Sequence, residues 1–272
     1  MESKIIKFLV YFFSFLTFGS LLFVIGFIFL NGLGSLSLDM FAWNYTTENV
    51  SMMPSIITTF VVVILALLLA APIGIFTAFY LIEYADKDNK MVNVVRTATD
   101  TLSGIPSIVY GLFGMLFFVV FLGFQYSLIA GVLTSVIMVL PVIIRSTEEA
   151  LLAVNDSLRE GSFALGAGKL RTVFRVVLPV AMPGILSGII LGVGRIVGET
   201  AALMYTLGTS TNLPTDFFQS GRTLALHMYV LASEGLHVQE SYATGVVLII
   251  IVLIINGAST WLSNRLTKGG TN

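Results

Sequence analysis

The sequence predicts an all-α membrane protein with six transmembrane helices and both termini on the cytoplasmic side. Three observations carry that prediction. The first is composition: 56% of the 272 residues belong to the AVILMFWYC set and only 11% are charged. Soluble domains average about 45–50% apolar and about 25% charged. Mean hydropathy is +0.95, and a soluble globule of this size has too much surface to cover with so few charges. The second is six continuous apolar runs near the ~20 residues that a spanning helix needs. Membrane-barrel strands alternate with a period of two, and these runs do not. Lipid offers backbone groups no water, so long apolar runs must be helices. The third is charge asymmetry. With the N-terminus inside, 12 of the 14 Lys and Arg residues fall on the cytoplasmic side, where basic residues accumulate.

The elements follow in order. Lys4 and Lys7 precede the first run, Phe8–Leu30. It is longer than a signal-peptide core and has no small-residue cleavage site after it, so it reads as a retained span. The outer segment Asn31–Pro54 carries Trp43 and Tyr45, suited to a membrane interface. The second span is Ser55–Ile82, followed by Lys87, Lys90 and Arg96 inside. The third is Ile105–Leu122, where Gly104 and Pro106 suggest a bent start, with Asp100 just before it. The fourth is Ser127–Ile144, joined to the third by a turn at Gly123–Tyr126 short enough for a tight hairpin. A cytoplasmic loop, Arg145–Met182, leads to the fifth span, Pro183–Leu207. A long outer segment, Gly208–Ser241, leads to the sixth, Tyr242–Leu262. The expected organisation is residues 1–54 as first helix and outer loop, residues 55–264 as the main membrane unit with loop 145–182, and 265–272 as a cytoplasmic tail.

Several functions are excluded. Net charge is −1, without the basic excess that a nucleic-acid binder needs to neutralise phosphates. There is no cysteine, hence no disulfide framework, thiolate metal site or cysteine nucleophile. The phosphate-binding pattern G-x-x-x-x-G-K-[ST] is absent. Gly168-Lys169 comes near it, but Phe163 holds the earlier glycine position and Leu170 follows the lysine. The chain is therefore not expected to hydrolyse ATP, to hold a cofactor or to carry a catalytic residue. His227 and His237 are isolated and offer no metal site.

The cytoplasmic loop has structure. Ser146-Thr147-Glu148-Glu149 reads as a capping box ahead of Ala150-Leu151-Leu152. A second start signal is Asn155-Asp156-Ser157, with Glu160 following. Phe163, Leu165, Leu170, Phe174 and Val177 form an apolar stripe interleaved with Arg159, Lys169, Arg171 and Arg175. Gly166 and Gly168 allow a sharp bend. Pro179 is expected to end the second helix, and Pro183 to open the next span. Two short amphipathic helices joined at glycine fit either an interfacial helix on anionic lipid or a docking surface for a cytoplasmic partner. The bend favours docking, since a helix lying on lipid gains nothing from it.

Arg195 and Glu199 lie within the fifth span, each at a cost of roughly 2.5–3.5 kcal/mol at the bilayer centre. The span is rich in glycine: Gly184, Gly188, Gly192, Gly194 and Gly198. Small residues let helices pack closely. At a spacing of four the two charges share a helix face and can pair. Two readings fit, a fixed ion pair that locks packing or an anion pathway. Guanidinium binds phosphate oxygens bidentately and keeps its proton. Glu199 would moderate that attraction, releasing Arg195 when the anion arrives. Ser103, Ser107, Tyr110, Thr200, Tyr205 and Thr206 offer hydroxyls to such a path, unless each bonds to its own helix backbone.

Glu160-Gly161-Ser162, Gly166 and Val176-Val177-Leu178-Pro179 resemble the EAA loop of ABC importer permeases: E-A-A, three residues, G, nine residues, I-x-L-P. Glu160 to Gly166 is six residues and Gly166 to Val176 is ten, which is the family spacing. Gly161 and Ser162 replace the alanines, and Val176 the isoleucine. Ile105-Pro106-Ser107-Ile108-Val109-Tyr110-Gly111 and Gly198-Glu199-Thr200-Ala201 look like the phosphate importers of this class. Leu140 to Leu151, LPVIIRSTEEAL, is similar to PstA-type rather than PstC-type permeases.

The resemblance implies the type I ABC importer (MetI-like) permease fold in a bacterial or archaeal cytoplasmic membrane, with inorganic phosphate as substrate. It implies a homologous PstC-type permease, two ATP-binding subunits that hold ATP and Mg, an extracytoplasmic phosphate-binding protein, and surrounding membrane lipid as partners. The implied pathway residues are Arg195, Glu199, Thr200, Ser107 and Tyr110. The implied ATPase-coupling residues are Glu160, Gly161, Ser162, Gly166, Leu178 and Pro179. A permease for another oxyanion, such as sulfate or molybdate, and a gradient-driven anion transporter or channel stay open as alternatives.

Overall fold

The computed structural model describes residues 2–86 and 90–268, and the described residues form helices and connecting turns with no strand. Lys87 and residues 269–272 of the expected tail lie outside the described residues, as do the side chains of Arg265 and Lys268. The helices are α1 (Glu2–Gly32), α2 (Met53–Phe79, ending in a π turn Tyr80–Tyr84), α3 (Lys90–Ser103), α4 (Ser107–Gly114, with a π continuation Met115–Phe121) and α5 (Leu128–Leu152). Then come α6 (Asp156–Ala164), α7 (Lys169–Thr172), a π stretch Val173–Val177, α8 (Leu178–Val197), α9 (Ala201–Met204), α10 (Leu224–Glu234) and α11 (Val238–Lys268).

Five helices are long and apolar enough to cross a membrane, and α3 with α4 passes the same test only as a bent pair. α3 and α4 meet at a bend of 107°. The stretch Ser107–Phe121, at about 22 Å, is too short to cross a ~30 Å hydrocarbon core alone. The third span, expected over Ile105–Leu122 with a bent start, is thus a short apolar helix turned sharply away from an amphipathic one. The reason is local: Gly104 and Pro106 cannot sustain a helix.

α2, α5 and α8 pack together at the centre, around Val62, Ala66, Val139, Ile143, Val193 and Ile196. α11 lies against α8, α10 and α1, and most side chains of α1 stay exposed. That is an apolar surface for lipid. α5 and α8 approach through small residues. A Cβ added at Gly184 would lie 2.6 Å from the Ala150 Cβ, and one at Gly188 would collide with the Ser146 side chain. Close backbone approach of this kind holds helices together where no hydrophobic drive separates them from lipid. Gly188→Leu should therefore overpack the α5–α8 seam by about 1–3 kcal/mol. The detergent-solubilised chain should unfold several degrees lower, and an unchanged transition would refute the close contact.

Two further expectations on the cytoplasmic loop are corrected. α5 runs on through Ser146–Glu149 to Leu152, so those residues sit inside a helix and cap nothing. Their two carboxylates are met by arginines, Glu148 from α3 and Glu149 from within α5. Arg96 Nε donates to Glu148 at 3.3 Å, and Arg145 bridges Asp100 at 3.1 Å and Glu149 at 3.2 Å. Likewise, one helical run extends from Lys169 to Val197, through Pro179 and Pro183. The π stretch Val173–Val177 widens the turn just before Pro179. Pro179 occupies the opening turn of α8, where a missing N–H costs least. Pro183 lies inside the helix, a position membrane helices tolerate.

On the outer side, Arg222 lies buried with its guanidinium 4.9 Å from the Tyr45 ring centroid. His227, fully buried, stands edge-on to the same ring at 6.2 Å. Burial and then the Arg222 charge push His227 down to about 3, so it is neutral at physiological pH. The cluster fastens the first outer loop to the start of α10.

Candidate translocation pathway and coupling elbow

The two breaks in the helical runs come together. α4, which begins after the bend at Gly104–Pro106, packs against α9, which begins after the break at Gly198–Thr200. The approach is close: a Cβ at Gly111 would lie 2.7 Å from the Ala202 Cα. Tyr110 is buried, and its hydroxyl donates to the Leu102 carbonyl at 2.6 Å. That bond spans the bend, so Tyr110 braces the break between α3 and α4. Ser107 is the first residue of α4 and is partly buried.

Arg195 occupies the last turn of α8 and is partly buried. It is near enough to Tyr110 to interact with its phenol electrostatically. The ion pair expected between Arg195 and Glu199 does not form among the described residues. α8 ends at Val197, and Glu199 sits in the break. Its carboxylate is buried and accepts from the Ala202 N–H at 2.9 Å, capping the short helix that follows. The i,i+4 spacing required a continuous helix, and Gly198 terminates it. Arg195 is thereby left, within an apolar membrane-crossing helix, with no carboxylate against it among the described residues.

The other hydroxyls divide. Ser103 donates to Asp100 and Thr206 to Ala202, each within its own chain segment. Thr200 makes only a long bond, 3.5 Å, to the Gly198 carbonyl. It also lines a cavity of about 540 Å³ with Ile108, Met204, Tyr205, Tyr229 and Tyr242. Arg195, Glu199, Ser107 and Tyr110 are not among that cavity's lining residues, so the five expected pathway residues do not share one enclosed pocket.

At the Lys/Arg-rich end, α6 and α7 form the elbow. Asn155 caps α6, its side-chain oxygen accepting from the Ser157 N–H at 3.0 Å. The turn Leu165–Gly168 reverses the chain with Gly166 at φ +79°, a conformation glycine adopts without strain. Ser162 Oγ and Thr172 Oγ1 lie 2.8 Å apart across the turn. Glu160, Gly161 and Gly166 are exposed. Leu178 and Pro179 belong to the opening of α8 rather than the elbow. Leu158, Phe163, Leu165 and Leu170 are exposed, Leu165 by 90%. A cluster of exposed large apolar side chains at a protein surface marks an interaction site.

The elbow also holds a group with no local sequence pattern. Arg159 donates Nε and Nη2 to one carboxylate oxygen of Glu83, at 3.1 and 2.9 Å. It also donates to the carbonyls of Val154 and Leu151, at 2.8 and 2.9 Å. An acid at the end of an apolar run was the available signal; its partner, 76 residues away, was not readable.

Residues 70–268 match the family described as the inner membrane component of binding-protein-dependent transport systems. The chain belongs to this family. It is a permease subunit of an ABC importer, a multi-pass membrane protein. The chain is 34% identical over 226 residues to the probable ABC transporter permease protein YqgI of Bacillus subtilis, covering 77% of this chain and 76% of that one. It is 40% identical over 200 residues to the phosphate transport system permease protein PstA 1 of Mycobacterium tuberculosis. That alignment covers 72% of this chain and 65% of the relative, just under two thirds of its length. Among solved structures, a MetNI methionine ABC transporter in an inward-facing conformation superposes with a TM-score of 0.62 at 22% identity, over 79% of this chain and 93% of that one. A bacterial alginate ABC transporter gives 0.68 at 17% identity, over 96% and 94%. These likenesses establish the type I importer permease fold.

Proposed function

We propose that this permease moves inorganic phosphate across a bacterial cytoplasmic membrane, with Arg195 as the anion's contact in the pathway. The observation that carries the reading is the partly buried Arg195 guanidinium, in the last turn of α8 just before the break at Gly198–Thr200, with no salt-bridge partner among the described residues. Transporters place substrates at such discontinuous helices, where backbone and side-chain donors are released from the helix ladder. Phosphate transport named for the mycobacterial relatives supports the choice of anion. Thr200, Ser107, Tyr110 and Glu199 flank the two helix breaks: Tyr110 braces one and Glu199 caps the other.

One permease of this fold encloses half a pathway, so a homologous PstC-type permease completes it. Two ATP-binding subunits, which hold the ATP and Mg, dock on α6 and the exposed leucines of the elbow. An extracytoplasmic phosphate-binding protein delivers the anion to the outer loops. Closure of the ATPases moves the elbow as a lever and switches the pathway between its two faces.

The test is uptake of labelled phosphate by the assembled transporter in proteoliposomes. ATP-dependent uptake that excess sulfate or molybdate leaves unchanged is expected. Equal competition by those anions would assign a different oxyanion, and uptake that follows an ion gradient without ATP would refute the ATP-driven mechanism.

A further inference from the structure

The inner end of α2 grips the elbow at three points. The Phe79 ring stacks on Phe174, just ahead of α8, at 6.2 Å and 25°. Glu83, in the π turn, holds Arg159 of α6 at 2.9 Å. Tyr84 carries the Lys169 ammonium of α7 over its ring at 5.0 Å. The central contact is shielded: the side chains of Arg159 and Glu83 are 14% and 9% exposed. With its bonds to Leu151 and Val154, Arg159 ties together α2, the end of α5 and α6.

Chain continuity alone is a poor route for force through the elbow. α6 joins α7 through an exposed turn built on Gly166 and bridged by the single Ser162–Thr172 hydroxyl contact, so little besides that bridge carries a push on α6 across the turn to α8. The Glu83–Arg159 pair bypasses that turn. From there α2 runs into the core that it shares with Ile196 and Val197, the residues following Arg195. We propose that Glu83, acting through Arg159, is a positioning residue that passes the movement of the elbow into α2 and so to the region around Arg195. The inference rests on the reading of α6 as the ATPase dock.

A purely structural pair would affect assembly or stability. A pair that transmits movement affects the phosphate transported per ATP hydrolysed. The experiment measures that ratio for the assembled transporter in proteoliposomes, with Glu83→Gln, Arg159→Gln and the double variant. The expected result is normal retention of the ATPase, continuing hydrolysis and a ratio at least tenfold lower, with the double variant no worse than either single one. An unchanged ratio with the ATPase bound overturns the inference, as does loss of the ATPase from the Glu83→Gln complex, which would make the pair a docking element. Should Glu83→Gln fail to accumulate, Lys169→Gln and Tyr84→Leu probe the same grip at exposed positions. A two- to threefold lower ratio supports the inference there, and an unchanged one overturns it. Failure of the wild-type chain to retain the ATPase through α6 would instead sink the docking reading, a result distinct from all of these.

Discussion

Arg195→Gln is expected to lower phosphate uptake by about two orders of magnitude while the chain inserts and assembles normally. A hydrogen bond to a charged group contributes roughly 1.5–3 kcal/mol. Losing a bidentate pair therefore removes a factor of about 100 or more, at about 1.4 kcal/mol per tenfold. Arg195→Lys keeps the charge and loses the planar fork, so its deficit should be nearer tenfold. Neither change orphans a carboxylate, because no acid is paired with Arg195 among the described residues. Burying a neutral side chain in place of a charged one eases insertion. Glu199→Gln makes the control: glutamine retains an oxygen to accept from the Ala202 N–H, so lost uptake would report the charge of Glu199 and not its cap. Initial uptake rates, normalised to the membrane-inserted chain, are the measurement. Wild-type uptake in Arg195→Gln would remove this residue from the pathway.

What could be read beforehand was what the bilayer or a local motif dictates. Lipid forces long apolar runs into helices, so the crossings were legible from hydropathy. The third was the exception in shape, because α3 is amphipathic and its apolar partner α4 is short. Asn155 as a cap and Gly166 as a turn were legible because their partners lie within a few residues. Ser146–Glu149 misled for the opposite reason. The motif looks like a cap, but Ser146 faces Gly188, and Glu148 is met by Arg96, from elsewhere in the chain. Pro179 and Pro183 looked like boundaries; a π turn and a membrane setting let the helix continue. The supposed Arg195–Glu199 pair failed on one residue, Gly198, where the helix stops. The ties between α2 and the elbow depend on tertiary packing, which no periodicity encodes.

Phe163→Asp combined with Leu165→Asp should detach the ATPase subunits, lowering their apparent affinity by at least 100-fold. Both side chains are exposed on this chain alone, Leu165 by 90% and Phe163 by 46%, so they contribute little to its own core. They are large apolar groups on a structured elbow that the Arg159–Glu83 pair holds in place. An apolar anchor buried at the centre of an interface commonly costs about 2 kcal/mol or more when lost. A carboxylate put there must also be desolvated without a partner. Two such changes exceed the ~2.7 kcal/mol that a 100-fold loss requires. The alternative role, a helix resting on lipid, predicts a different pattern. Aspartates would then weaken contact with anionic vesicles and leave the ATPase bound. Co-purification of the ATPase with the double variant separates the two. Retention of the ATPase at wild-type stoichiometry would end the docking account.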